Sequence, residues 1–270
     1  MAEAPAAVHH VGMTVLTPRP TTADLVRGVV VAVLAILQVL VSAFGGSAIG
    51  AVARDYDTPL LAAGWAFAIW GPIYLGVLVY AGYALLPGQR GREVHRRIGW
   101  WVAATAVLNP LWIAAFSNRW VVTAEVLLVL LVLALAVVYG RLSRSVADGW
   151  PERLATRLPL AIYLGWSSAA LVLGLMAAGV AVGLPSDGVL PQVAAILLLV
   201  ILTAVALSVV GSTTGFAGFA GALCWALLGI VAGDRPIAVT VVAAVAAGVI
   251  AVPAVRRITR SVQPARLALG

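Results

Sequence analysis

GWAFAIWGPIY, Gly64 to Tyr74, is an apolar stretch that holds two tryptophans, a phenylalanine, a tyrosine and a proline. Phe67, Trp70 and Tyr74 stand three and four residues apart, so on a helix they share one face. Two later stretches carry comparable stripes, Asn109/Trp112/Phe116 and Tyr163/Trp166/Ala170. A stripe of this kind packs against lipid or a neighbouring helix, or lines a ligand cavity, and periodicity leaves all three open.

The chain around this stretch has 270 residues, is 63% hydrophobic and 10% charged, and has a mean hydropathy of +1.07. Such a composition excludes an ordinary soluble domain and points to an all-α, polytopic membrane protein in contact with lipid. Eight segments approach the ~20 apolar residues that cross a bilayer as a helix. They run from Arg27 to Val52, Gly64 to Leu86, Ile98 to Ser117, Val121 to Gly140, Leu158 to Val182, Gln192 to Gly211, Gly215 to Ala232 and Pro236 to Val255. Residues 1–23 lack the long apolar core of a cleavable signal and read as a disordered tail. The adjacent His9 and His10 in that tail read as incidental, and no metal site is expected.

All seventeen basic residues are arginine, which suits a GC-rich bacterial genome, and the net charge is +7. In a soluble protein that charge would hint at nucleic acid. Here the arginines lie between apolar segments, where membrane orientation accounts for them, and no nucleic-acid partner is expected. Arg19 and Arg27, then Arg90, Arg92, Arg96 and Arg97, then Arg141, Arg144, Arg153 and Arg157, then Arg256, Arg257, Arg260 and Arg266 all fall on one side in an eight-helix count. The other side has Arg54, Arg119 and Arg235 against Asp55, Asp57, Asp187 and Asp234. The excess places both termini in the cytoplasm.

Reactive chemistry is sparse. Cys224 is the single cysteine, which excludes an intrachain disulfide or a CxxC site. Glu125 is the one acid expected inside the membrane, either resting at the positive end of the fourth helix or meeting a ligand or another helix. Gln38, Asn109, Ser167, Ser168 and Ser208 add neutral polar groups. His95 is assigned to the arginine-rich second connection, which leaves haem iron without its commonest axial ligand in a span. No GxSxG, HExxH or Walker sequence occurs, so spacing gives no catalytic residues and no indication of an enzyme. Of nine tryptophans, Trp65, Trp100, Trp101 and Trp120 fall at helix ends as interfacial anchors, while Trp70, Trp112 and Trp166 lie deeper. Gly46/Gly50, Gly179/Gly183, Gly211/Gly215 and Gly229/Gly233 have GxxxG spacing and are read as packing. Pro110 is expected to kink the third helix and free a carbonyl, with Asn109 as its candidate partner.

At these residues the chain resembles the translocator protein/tryptophan-rich sensory protein family (TspO/MBR). The match consists of WGPIY at Trp70 to Tyr74, LNPLWIAAF with Asn109, Trp112 and Phe116, the acidic Glu125 opening the next helix, and YLGW at Tyr163 to Trp166. The resemblance implies a five-helix core over 24–183 with an aromatic pocket for porphyrins and other flat hydrophobic molecules, under a loop running here from Ala53 to Ala63. It implies ligand contacts from Phe67, Trp70, Tyr74, Asn109, Trp112, Phe116, Tyr163 and Trp166, and no obligatory cofactor, with porphyrin or haem as ligand.

The chain departs from the family pattern in three ways. Pro59 stands alone where a proline pair is common. Gly174 stands where the fifth helix usually carries asparagine, and the cholesterol-associated pattern is missing around Leu173 to Ala178. Segments beyond the core, 184–256, are expected to form an interface, as in a homo-oligomer, or to shield the core; 257–270 reads as a basic tail. Four functions remain open at this level: a receptor or carrier, a transporter, a light-dependent porphyrin-degrading protein, and an interaction protein with a packed aromatic core.

Overall fold

The computed structural model describes residues 20–270, the side chains of 45–48 excepted, and the expected tail through residue 19 with His9 and His10 lies outside the described residues. The described residues are helical throughout their ordered elements. The first helix, α1 (Thr22–Asp55), starts earlier than hydropathy suggests. Thr21 and Asp24 form a reciprocal capping box, which satisfies amides at the helix start. Asp24, 2% exposed, also takes both prongs of Arg96 at 2.9 and 2.7 Å and Arg27 at 2.8 Å, tying α1 to α3 (Glu93–Ser117).

The opening stretch does not begin as an α-helix. Gly64–Ile69 is a 3-10 helix, and α2 (Trp70–Leu85) follows directly. Pro72 has no N–H to bond back to Ala68, which removes one α-helical hydrogen bond where the 3-10 segment gives way to α2. In a 3-10 turn residues three apart eclipse one another and the rise is about 2.0 Å per residue. Phe67 and Trp70 are therefore aligned, and Trp70 lies deeper than the same residues would carry it in an α-helix.

After α3 come α4 (Val121–Ser143), a short turn α5 (Trp150–Glu152), a π-helical turn at Arg153–Arg157, and α6 (Leu158–Ala181). Glu152, 1% exposed, pairs with Arg92 and Arg157, each at 2.8 Å, and Arg157 Nη1 also donates to the carbonyls of Leu142 and Ser145. These bonds close the arginine-rich end of the molecule. His95 is in the first turn of α3 and not in the preceding connection, because the helix starts at Glu93. It is buried against Tyr80 and Tyr83, with ring centroids 5.7 Å away in each case.

Helices α1, α2, α6, α4 and α3 touch in sequence and close a ring of five. Three more follow: α7 (Val189–Ser212), α8 (Ala217–Val231) and α9 (Ile237–Thr259). In place of a bare basic tail, Pro264–Leu269 forms α10, which folds back so that Leu267 accepts from the Gly215 amide at 2.9 Å. Of the eight expected spans, seven are long and apolar enough to cross a membrane. The eighth, α8, has 15 residues, or about 22 Å of rise. It packs between α6 and α9, and much of its surface is covered by protein instead of lipid. Trp65, Trp100, Trp101 and Trp120 are all exposed, but only Trp65 and Trp120 stand at helix ends; Trp100 and Trp101 lie two turns into α3, because that helix starts at Glu93 and not at Ile98.

Close approach depends on a few glycines. A Cβ at Gly165 would overlap the Phe219 carbonyl of α8, and one at Gly218 would come 2.9 Å from the Leu158 carbonyl of α6. Gly76 plays the same part between α2 and Pro159. Gly165→Val should therefore destabilise the fold by about 1–3 kcal/mol through overpacking. Gly140, with open space around its Cβ position, should tolerate alanine or gain ~0.5–1 kcal/mol. Thermal unfolding of both variants in one detergent checks the contrast.

Candidate functional site

The three sequence stripes face one another. Trp70 is their hub: its ring stacks on Tyr74 at 5.5 Å, lies 5.6 Å from Trp112, and meets Tyr163 and Trp166 edge-on at 6.1 Å each. Phe67 meets Trp166 edge-on at 5.8 Å, and Trp112 stacks on Phe116 at 5.8 Å. These separations suit aromatic pairs, each contributing about 0.5–1.5 kcal/mol beyond area burial. Trp70 and Trp166, whose depths the sequence leaves unrelated, are thus neighbours. The extended 3-10 entry carries one down towards the other.

The cluster divides into two layers. Phe67, Trp70, Trp112, Phe116 and Trp166 line a cavity whose wall also includes residues of the α1–α2 loop. Tyr74, Asn109 and Tyr163 do not line it; each lies a turn deeper and belongs to a polar floor. There Gln38 Nε2 donates to Asn109 Oδ1 and Tyr163 Oη, both at 3.2 Å, and Tyr74 Oη donates to Asn109 Oδ1 at 3.4 Å. Asn109 Nδ2 has no hydrogen-bond partner, so Asn109 does not satisfy the carbonyl freed by Pro110 and serves this floor instead. Gln38, fully buried, is a residue of this constellation that the stripes do not include. Its signal was a lone amide in the apolar run LAILQVLV, since a polar group at membrane depth needs a partner.

The cavity is narrow, with a volume of about 50 Å³. Its outer wall includes Tyr56, Thr58 and Leu61 of the α1–α2 loop. That loop is pinned from the far side of the sequence. Arg235 pairs with Asp57 at 2.5 Å and donates to the Thr58 carbonyl at 2.8 Å. The Ala63 amide donates to the Gly229 carbonyl at 2.8 Å, and the Trp225 indole donates to the Ala66 carbonyl at 2.8 Å. A Cβ at Gly229 would come 2.6 Å from Ala66, so this approach too requires glycine. The added helices therefore brace the cavity's cover, a role that hydropathy cannot show.

Two features of the wall are polar. The indole N–H groups of Trp70 and Trp166 are buried without a hydrogen-bond partner. Glu125 lines the same cavity, 7% exposed, with Oε1 unpartnered. Its position one turn into α4 does not bring it an amide from the helix start. Among the described residues no cluster of three or more histidine, cysteine or acidic side chains could hold a metal ion.

The family described as TSPO-like protein matches over residues 24–256, a region that includes α7, α8 and most of α9 as well as the five-helix ring. No curated protein and no solved structure matches the chain. The match covers the cavity, its polar floor and the helices that brace its cover, and together with the seven apolar spans it makes this chain an integral membrane protein that belongs to the TSPO-like protein family.

Proposed function

We propose that the protein is a membrane receptor or carrier for a flat hydrophobic ligand, with porphyrins and related tetrapyrroles the first class to test. The observation that carries this reading is the convergence of the rings of Phe67, Trp70, Trp112, Phe116 and Trp166 around one cavity, with the indole N–H groups of Trp70 and Trp166 unused. Flat π-systems gain from ring contacts on several sides, and an acceptor on the ligand would satisfy a buried donor. A packed interaction protein has no need of such a space. The apolar wall and convergent polar groups have the character of a small-molecule site.

Size sets a condition on this function. A volume of about 50 Å³ is well below the ~300–1,000 Å³ of ligand pockets, so the rings or the loop must part before a macrocycle enters. Loading is then gated by the Arg235–Asp57 brace. The arginine bias supports a bacterial inner membrane, with the arginine-rich end in the cytoplasm and the braced loop outside.

Titration with protoporphyrin in detergent and in bilayers should quench tryptophan fluorescence saturably. Trp70→Ala and Trp166→Ala should each weaken binding by roughly 2- to 12-fold, the worth of one aromatic pair. Absence of saturable quenching in both media would contradict the reading. Arg235→Ala should speed association without abolishing binding, as read by stopped-flow quenching.

A further inference from the structure

Among the described residues, buried carboxylates are paired, with one departure. Asp24 at 2% exposure is held by Arg27 and Arg96, and Glu152 at 1% by Arg92 and Arg157. Glu125 at 7% has no ion pair among the described residues, and its Oε1 meets no donor. Burying a carboxylate without a partner is costly, and at membrane depth an ionisable side chain marks a functional site by default.

Room for this carboxylate is made deliberately. A Cβ at Gly174 would overlap Glu125 Oε2, so any larger residue on that face of α6 would drive the carboxylate from its place. Gly174 is also the position at which this chain departs from the asparagine expected there by family resemblance. The glycine and the acid are thus one arrangement, and both line the cavity. The rings of Trp70, Trp112 and Trp166 line the same cavity.

A lone carboxylate among aromatic rings is complementary to an organic cation. Ring faces attract a positive charge, and a carboxylate accepts charge-assisted hydrogen bonds from an ammonium group. The narrow interior favours a slim occupant over a broad one. We propose that the cavity selects ligands that join a flat apolar body to a protonated amine, with Glu125 as the counter-ion and the tryptophans as the aromatic walls. This inference rests on the reading of the cavity as a ligand site and ranks a slim amine above the tetrapyrroles as its occupant.

Three probes of one shape separate the possibilities: 2-phenylethylamine, protonated at pH 7, 2-phenylethanol as a neutral donor, and propylbenzene as the apolar isostere. Binding is followed by tryptophan fluorescence on the purified full chain in detergent, with affinities referred to free probe. The amine should bind about tenfold or more tightly than either neutral probe. Glu125→Gln, which keeps the shape, should abolish that preference while changing propylbenzene affinity by less than about threefold. Gly174→Ala should abolish it as well by displacing the carboxylate, with thermal unfolding confirming that both variants fold. Equal affinity for amine and alcohol, or an amine preference that survives Glu125→Gln, overturns the inference and leaves the ligand site standing. Saturable binding of none of the three, together with none of protoporphyrin, removes the ligand site and the inference with it.

Discussion

The close approach of α6 to its neighbours is the constraint on which the rest of the molecule depends. In a bilayer, apolar side chains gain little from leaving lipid for protein, so helices associate by fitting closely and by satisfying polar groups. Gly165 and Gly218 let α6 and α8 meet backbone to backbone, and Gly76 admits Pro159 against α2. With α6 fixed this way, Trp166 and Tyr163 are brought to the edge of Trp70, and the cavity forms between α2, α3, α4 and α6. The same placement sets Gly174 over Glu125.

From α6 the structure extends in two directions. Towards the arginine-rich end, Glu152 and Arg157 lock the π-helical turn to α4 and to the α2–α3 connection. Towards the loop end, α8 reaches Ala63, Ala66 and, through Arg235, Asp57 and Thr58. A five-helix ring alone would leave the α1–α2 loop held only at its ends. Here α8 and the turn that follows it hold it, and the cavity beneath is narrow. Affinity in such a site trades against access, because each contact that shuts the cover must break before a ligand enters.

Much of this was legible in the sequence, for physical reasons that differ by residue. Helical periodicity is strict, so Phe67, Trp70 and Tyr74 had to share a face, as did Trp112 with Phe116 and Tyr163 with Trp166. That the faces converge came from resemblance, and the rings now confirm the convergence by distance. Three things were hidden. The 3-10 start of the second span stands just before Pro72, yet hydropathy scores it as helix without distinguishing its rise. Tyr74, Asn109 and Tyr163 belong to a floor and not to the cavity wall, which depends on depth to within one turn. The pairing of Glu125 with Gly174, from helices far apart in the chain, is a tertiary fact that neither residue announces. Glu125 on its own reads as a carboxylate resting at a helix start.

The central claim is that an aromatic cavity lies beneath a loop pinned by α8 and the turn that follows it. Thiol labelling at one wall position tests it most directly, using Ala170→Cys in a Cys224→Ala background, with and without Arg235→Ala. Ala170 lines the cavity and Cys224 is the chain's only native thiol. With the brace intact the new thiol should react slowly, and removal of Arg235 should speed the reaction by about fivefold, the ~1 kcal/mol upper worth of an ion pair whose carboxylate is exposed. Equal rates with and without Arg235 would contradict the account.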